Sequence, residues 1–264
     1  MEVINNENKK IIDIELLELL SEKGSEMTVY NDENFVYKIF KKDYKLGHKS
    51  IEELNYLSSI KTSRILMPES LIFNNDELIG YTMIYIKNEK DMHNDTMANL
   101  LNELMIIKQD IDILNKLCVR LIDINKSNIV YNGKLYLIDP DNYYINDVND
   151  LLIYYQNREI TEEEKQNLII NWNYNKINKL MHELLFMNNS DIDFYLLRKI
   201  IEFFEIERKK DGLIYDAGIY QKYFYKDLTV REAIKKFVSN YIKVDEEEKK
   251  WYYRFLKCSK EVLL

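Results

Sequence analysis

The chain is poor in the residues that cross-link, break or sharply bend a polypeptide: its 264 residues include two cysteines, two prolines and six glycines. Cys118 and Cys258 have no metal-ligand spacing and cannot build a disulfide framework, which fits a reducing, cytoplasmic compartment. An excess of basic charge is missing as well. The formal net charge of −8 argues against the electropositive footprint of general nucleic-acid binding. No apolar run reaches the roughly 18 residues that a membrane span requires, and the opening MEVINNENKKIIDIELLELL is too polar for a signal peptide. Neither a nucleic-acid nor a membrane partner is therefore expected. With so little proline, and with Asn, Ile, Lys and Tyr abundant throughout, composition marks no linker or tail, and no internal repeat is visible.

What is present is enough apolar material to fold. Hydrophobic residues make up 46%, and the length suffices for one large core or for two lobes sharing a cleft. The most informative stretch is RLIDINKSNIVYNGKLYLIDPDNYY, residues 120–144. NIVY and KLYLI are β-prone runs flanking Asn132-Gly133, a pair suited to a two-residue type I′ turn. That turn puts Asn128 opposite Leu137 and Lys126 opposite Asp139, making Asn128 and Asp139 diagonal neighbours about 7–8 Å apart at the backbone. Asp123 precedes the first strand and is free to fold over the same end. A carboxylate and an amide oxygen converging there suit a hard cation such as Mg²⁺, which takes oxygen ligands and keeps waters or phosphate oxygens. A second carboxylate nearby can accept a proton. The plainer alternative is a surface hairpin in which Asp and Asn serve the turns.

Asp123-x-x-x-x-Asn128 followed by a hairpin that Asp139 closes resembles the catalytic loop and metal-binding Asp of the protein-kinase-like superfamily. The resemblance covers roughly residues 20–240 and implies an α+β, bilobal fold: a small antiparallel β-sheet N-lobe over 1–86 and a mainly α-helical C-lobe over 87–264. Upstream, GSEMTVYNDENFVYKIFKK reads as two strands whose alternation puts Val36, Lys38 and Phe40 on one face, and SIEELNYLSSI spaces Ile51, Leu54 and Leu57 as a helix. By the resemblance, Lys38 holds the α/β-phosphates of ATP and is oriented by Glu53, with Glu52 as its substitute. Ser50-Ile51-Glu52-Glu53 is equally a capping box, in which Glu53 reaches back to the Ser50 backbone. Gly24, five residues before Val29, matches the middle glycine of the phosphate-covering loop, while the outer two positions hold Glu22 and Met27. RILMPESLIFNNDELIGYTMIYIKN supplies two further strands and completes a five-stranded lobe. The resemblance implies Met83 as the residue that controls the depth of the adenine pocket and the Tyr85–Ile86 backbone as hinge.

The segment 96–117 reads as a helix leading to the catalytic loop, and Thr161 to Glu164 as a capping box opening another. Ile177, Leu180, Met181, Leu184 and Leu185 form the buried stripe of that second helix, on which Asn173 stands where the family has Asp. DLTVREAIKKFV, residues 227–238, resembles the last helical motif of the lobe, and the run Glu246–Glu248 with Trp251 reads as a solvated helix face and a core anchor. Other positions depart from the family. Leu121 and Ile122 replace His and Arg before Asp123, Asn125 replaces a Lys with Lys126 beside it, and DPD stands for DFG, with Asp141 a second metal ligand or a cap. Ile122 removes the usual receptor of an activating phosphate, and no Ser or Thr lies between Asp139 and Thr161, so activity without phosphorylation of that segment is expected.

The resemblance implies ATP and Mg²⁺ as cofactors and transfer of the γ-phosphoryl to a protein hydroxyl. Asp123 then orients or deprotonates the acceptor, Asn128 and Asp139 hold metal, and Lys38 holds phosphate. Two alternatives stay open: a small-molecule kinase of the same fold, for which an acidic cleft suits a cationic acceptor, and a pseudokinase acting as a nucleotide-binding or interaction module.

Overall fold

The computed structural model describes residues 2–5, 8–23, 26–42, 49–139, 143–152, 159–187 and 191–262. Seven strands form one antiparallel sheet: β1 (Glu2–Asn5), β2 (Asn8–Ile11), β3 (Glu18–Ser21), β4 (Met27–Asn31), β5 (Phe35–Phe40), β6 (Ser70–Asn74) and β7 (Glu77–Ile84), in the order β2-β1-β6-β7-β5-β4-β3. Strand alternation gives the sheet two apolar faces. Tyr37, with Val3, Ile12 and Ile72, buries on the outer face. On the inner face Met27, Leu71, Tyr81 and Met83 pack with Leu54 of helix α1 (Ile51–Ser59).

A five-stranded lobe is expected from the sequence, with four of its strands located; the sheet has seven, β3 being the fifth and two more coming from the first eleven residues. EVIN and NKKI are too short and too polar to show alternation. They are held as a hairpin along the β6 edge, Val3 facing Ile72, and Val3 and Ile12 are buried there. Sheet pairing, not local propensity, makes them strands.

The remainder is mainly helical: α2 (Met97–Lys116), α3 (Asn149–Leu152), α4 (Glu162–His182), α5 (Phe194–Asp211), α6 (Ala217–Tyr223), α7 (Val230–Tyr241) and α8 (Glu246–Val262). Two small ribbons complete it, β9 (Ile129–Tyr131) with β10 (Leu135–Leu137), and β8 (Val119–Leu121) with β11 (Tyr143–Ile145). An antiparallel sheet followed by a helical half is the α+β arrangement that the kinase resemblance implies. Thr96 caps α2 through the Asn99 N–H, and Thr161 and Glu164 form the reciprocal capping box of α4. The stripe Ile177, Leu180, Met181, Leu184 and Leu185 is buried in the largest core cluster. Trp251 departs from expectation: it is 62% exposed. Tyr252, one position round the helix, takes the inward place, with its ring 5.8 Å from that of Tyr195 on α5. Among the described residues no helix is long and apolar enough to cross a membrane.

Helix α2 ties the two halves together. The buried Asp110 carboxylate accepts N–H bonds from Ser63 (2.9 Å), Arg64 (2.6 Å) and Ile65 (3.0 Å), fixing the connector that leaves α1. Glu103, also buried, pairs with Arg64 and accepts from the Leu135 N–H at 3.1 Å. The connector in turn bonds β10, the Leu66 N–H donating to Leu137 O and the Leu137 N–H to Arg64 O, each at 2.8 Å. These carboxylates are fully engaged, as burial of charge requires.

Candidate active site

The β9–β10 hairpin is built differently from the two-residue turn. Leu135 pairs with Tyr131 and Leu137 with Ile129, so three residues, Asn132 to Lys134, form the connection. Asn132 Oδ1 accepts the Lys134 N–H at 3.3 Å, and Asn132 Nδ2 donates to Lys87 O at 3.1 Å. Gly133, at φ +104, supplies the positive φ of the loop, and its carbonyl is gripped by Asn99 Nδ2 at 3.0 Å. Tertiary bonds to α2 and the inter-lobe segment thus select the longer loop over the intrinsic Asn-Gly preference. The register moves by one residue. Asn128 faces Ile138, whose N–H donates to Asn128 O at 2.9 Å, and Lys126 lies on a 3₁₀ turn, Lys126–Asn128, rather than opposite Asp139. Asn128 remains beside the Asp139 end of the hairpin, because its cross-strand partner is Asp139's chain neighbour.

The loop before the hairpin is organised by amides. Asn125 Nδ2 donates to Asp123 Oδ1 and Asn128 Nδ2 to Asp123 O, both at 2.8 Å. Asn125 Oδ1 accepts the Ser127 N–H at 2.9 Å, capping the 3₁₀ turn. The Asn128 amide therefore spends its donor side on the loop. Its Oδ1 takes a 3.4 Å bond from Ser127 Oγ and is the acceptor side of the amide. The Asp123 carboxylate is exposed, held on one oxygen by Asn125.

Helix α4 clamps the strand that delivers this loop. Asn173, fully buried, accepts the Leu121 N–H at 2.8 Å and donates to Val119 O at 2.9 Å and to Asn115 Oδ1 at 2.8 Å. Trp172 Nε1 donates to Leu121 O at 2.6 Å. Both backbone groups of Leu121 are thereby bonded by neighbouring residues of one helix, two positions ahead of Asp123. An Asp at 173 could accept from Leu121, but an ionised carboxylate could not donate to Val119 O. Trp172 was not legible as part of the site, since an isolated tryptophan carries no spacing signal.

Lys38 sits on β5 opposite Val29 of β4 and Tyr81 of β7, and it is only 8% exposed. Its Nζ forms an ion pair with Asp139 Oδ1, bringing sheet and hairpin together. Asp139 has φ +81, a left-handed conformation that costs a non-glycine residue energy and is concentrated at functional sites. Gly80 explains how β5 is seated. A Cβ there would stand 2.0 Å from Lys38 O and 3.1 Å from Ile39 Cα, so only glycine permits the approach of β7 to β5.

Glu53 does not pair with Lys38. Helix α1 starts at Ile51, which puts Glu53 in its first turn: its Oε2 accepts the Ser50 N–H at 2.9 Å, and its Oε1 lies 3.9 Å from Lys49 Nζ. Its substitute Glu52 is exposed. Met83 is buried in the inner cluster, against which Ile86, Tyr136 and Ile138 also pack. Tyr85 N–H donates to Asn34 O at 2.9 Å, fixing the inter-lobe segment to the β4–β5 turn. Gly24 and Asp141 lie outside the described residues.

Among the described residues no group of three or more His, Cys, Asp or Glu is placed to hold a metal ion. Asp139 and Asn128, at the same end of the hairpin, carry the oxygen donor types that would suit Mg²⁺, an ion that uses one or two protein ligands and completes its shell with phosphate and water.

No protein-family model and no curated protein matches the sequence. Among solved structures the chain is similar to the kinase PK-1 of the Cydia pomonella granulovirus, with a TM-score of 0.45 and 14% identity over 66% of this chain and 72% of that one.

Proposed function

We propose that the chain is an ATP-dependent phosphotransferase of the protein-kinase-like kind, moving the γ-phosphoryl of Mg-ATP to a protein hydroxyl. The observation that carries the reading is the Lys38–Asp139 ion pair. It holds a buried cation and a carboxylate against each other between a sheet and a hairpin, beside a loop that presents an exposed second carboxylate, Asp123. Lys38 binds the α/β-phosphates, the Tyr85–Ile86 backbone and Met83 contact the base, and Val29 covers it. Asp139 and Asn128 hold Mg²⁺, which neutralises charge developing on the transferred group when bound. Asp123 takes the hydroxyl proton as the acceptor oxygen bonds to the γ-phosphorus and ADP leaves with the electrons of the broken P–O bond.

A second reading, a nucleotide-binding module without transfer, is favoured by one observation: the helical carboxylate that would orient Lys38 is engaged by Ser50 and Lys49 instead. Incubation with γ-labelled and, separately, α-labelled ATP in Mg²⁺ tests the proposal. Label from the γ-position on a protein acceptor is the expected result. Movement of α-label instead means nucleotide transfer, γ-label on a small molecule means a small-molecule kinase, and retention of both labels on the nucleotide means a binding module. Each of those three overturns it.

A further inference from the structure

Between the start of α1 and the middle of α4, cations and aromatic rings alternate. Lys49 Nζ lies 5.6 Å from the centroid of the Tyr144 ring, and Arg120 Cζ lies 5.4 Å from the same centroid. Arg120 Cζ is also 5.1 Å from the Trp172 ring, over which Lys176 Nζ stands at 4.8 Å. Tyr144 and Arg120 are direct cross-strand partners on β11 and β8, so their contact is set by the ribbon itself. Arg120 is wholly buried. Its Nη2 donates to Asp150 on α3 at 2.6 Å, whereas Nε and Nη1 are buried without hydrogen-bond partners. A guanidinium in that state is unfavourable for stability, and an apolar side chain of similar volume would pack without orphaned donors. The two aromatic faces offset part of the cost through cation–π attraction.

The ends of this ladder are two elements that the proposed chemistry needs in register. Lys49 adjoins the capping box of α1, the helix whose Leu54 packs with Met27, Leu71, Tyr81 and Met83 on the inner face of the sheet that carries Lys38. Trp172 bonds Leu121 O and so grips the strand that delivers Asp123. We infer that Tyr144 and Arg120 are positioning residues: their stacked side chains transmit the placement of α1 to the β8 strand and the Asp123–Asn128 loop. The consequence for catalysis rests on the phosphotransferase reading, whereas the mechanical coupling does not.

Backbone hydrogen exchange over residues 119–128 tests the coupling without reference to activity. Tyr144→Leu removes the ring from between the two cations, and Tyr144→Phe keeps it. The expected result is at least tenfold faster exchange of this segment in Tyr144→Leu, with Tyr144→Phe like the wild type. Lys49→Ala guards against a local folding defect, because the altered side chain lies outside the β8–β11 ribbon, with the Tyr144 ring between it and Arg120; it too should accelerate exchange over 119–128, with the melting temperature kept. In transfer assays Tyr144→Leu should lower kcat about tenfold and leave KM for ATP unchanged, a split that general destabilisation does not produce. Wild-type exchange in both Tyr144→Leu and Lys49→Ala overturns the coupling whatever the activity. A wild-type protein that transfers no phosphate while Tyr144→Leu accelerates exchange overturns the proposed function and upholds the coupling.

Discussion

Lys38 and Asp139 stand 101 positions apart in the chain and meet as an ion pair at the junction of the sheet and the helical half. Their attraction offsets part of the cost of taking both charges out of water. Removing one partner of such a pair leaves an uncompensated charge, which is far more damaging than the small net gain from forming the pair. Polyanionic phosphate and a divalent cation can replace both partners together. On the phosphotransferase reading, the pair would exchange for Mg-ATP when nucleotide binds.

This assigns different duties to two carboxylates. ATP binding should depend on Mg²⁺ in the wild type, Asp139→Ala should abolish that dependence, and Asp123→Ala should leave it intact. Titration calorimetry with and without Mg²⁺ makes the comparison. Equal wild-type affinity in both conditions would remove metal from the assignment.

On the proposed function, Lys38 and Lys126 can be ranked as phosphate ligands. Lys38 is buried and placed by paired strands on both sides, whereas Lys126 is exposed on a 3₁₀ turn. In single-turnover transfer, Lys38→Ala should lose at least tenfold more rate than Lys126→Ala, about 1.4 kcal/mol in the barrier. A larger loss at Lys126 would mean that the transferred group is steadied from the loop.

Gly80 sets the position of Lys38 from the neighbouring strand. Gly80→Ala drives a methyl into the Lys38 backbone, so β5 and β7 must part locally. Overpacking of this kind costs about 1–3 kcal/mol, and affinity for Mg-ATP should drop at least tenfold. If the affinity loss runs through the Lys38 ammonium, it disappears when Gly80→Ala is made in a Lys38→Met background, while the stability loss remains. Additive affinity losses would show that Gly80 acts on the nucleotide by another route.

Local patterns were readable wherever one element's own chemistry decided the outcome. The face shared by Val36, Lys38 and Phe40, the Thr161 cap and the buried stripe from Ile177 to Leu185 follow from periodicity and capping rules. Other features depended on distant partners and were not readable. The Asn132-Gly133 pair carried a correct turn signal but the wrong length, because Lys87 and Asn99 pull on the loop from elsewhere. That single residue reassigns every cross-strand partner of the hairpin. Glu53 satisfied two sequence rules at once, and the nearer partner, Ser50, holds it. The N-terminal hairpin acquires its structure only by pairing with β6.

Asn173 gives the sharpest test of how strand β8, which leads to Asp123, is held. Replacing it with Ala leaves the Leu121 N–H, Val119 O and Asn115 Oδ1 buried without their partner. At about 1–3 kcal/mol for a buried group left unsatisfied, Asn173→Ala should lower the melting temperature clearly. Asn173→Asp is the more discriminating change. The new carboxyl still accepts from Leu121 but, when ionised, sets an anionic oxygen against Val119 O in a dry site. Burial and the facing carbonyl both disfavour the anion, so the folded-state pKa of the introduced acid rises above its unfolded value. A raised carboxyl pKa means that the folded state binds more protons between the two values, and stability falls as pH climbs through them. The variant should therefore come closest to wild type at about pH 4 and below, where the protonated acid can donate to Val119 O or to Asn115 Oδ1 but not to both, and fall progressively behind toward pH 8. Thermal denaturation of both proteins across that range measures the gap. A gap that is constant, or that widens as pH falls, would show that position 173 does not donate to the strand.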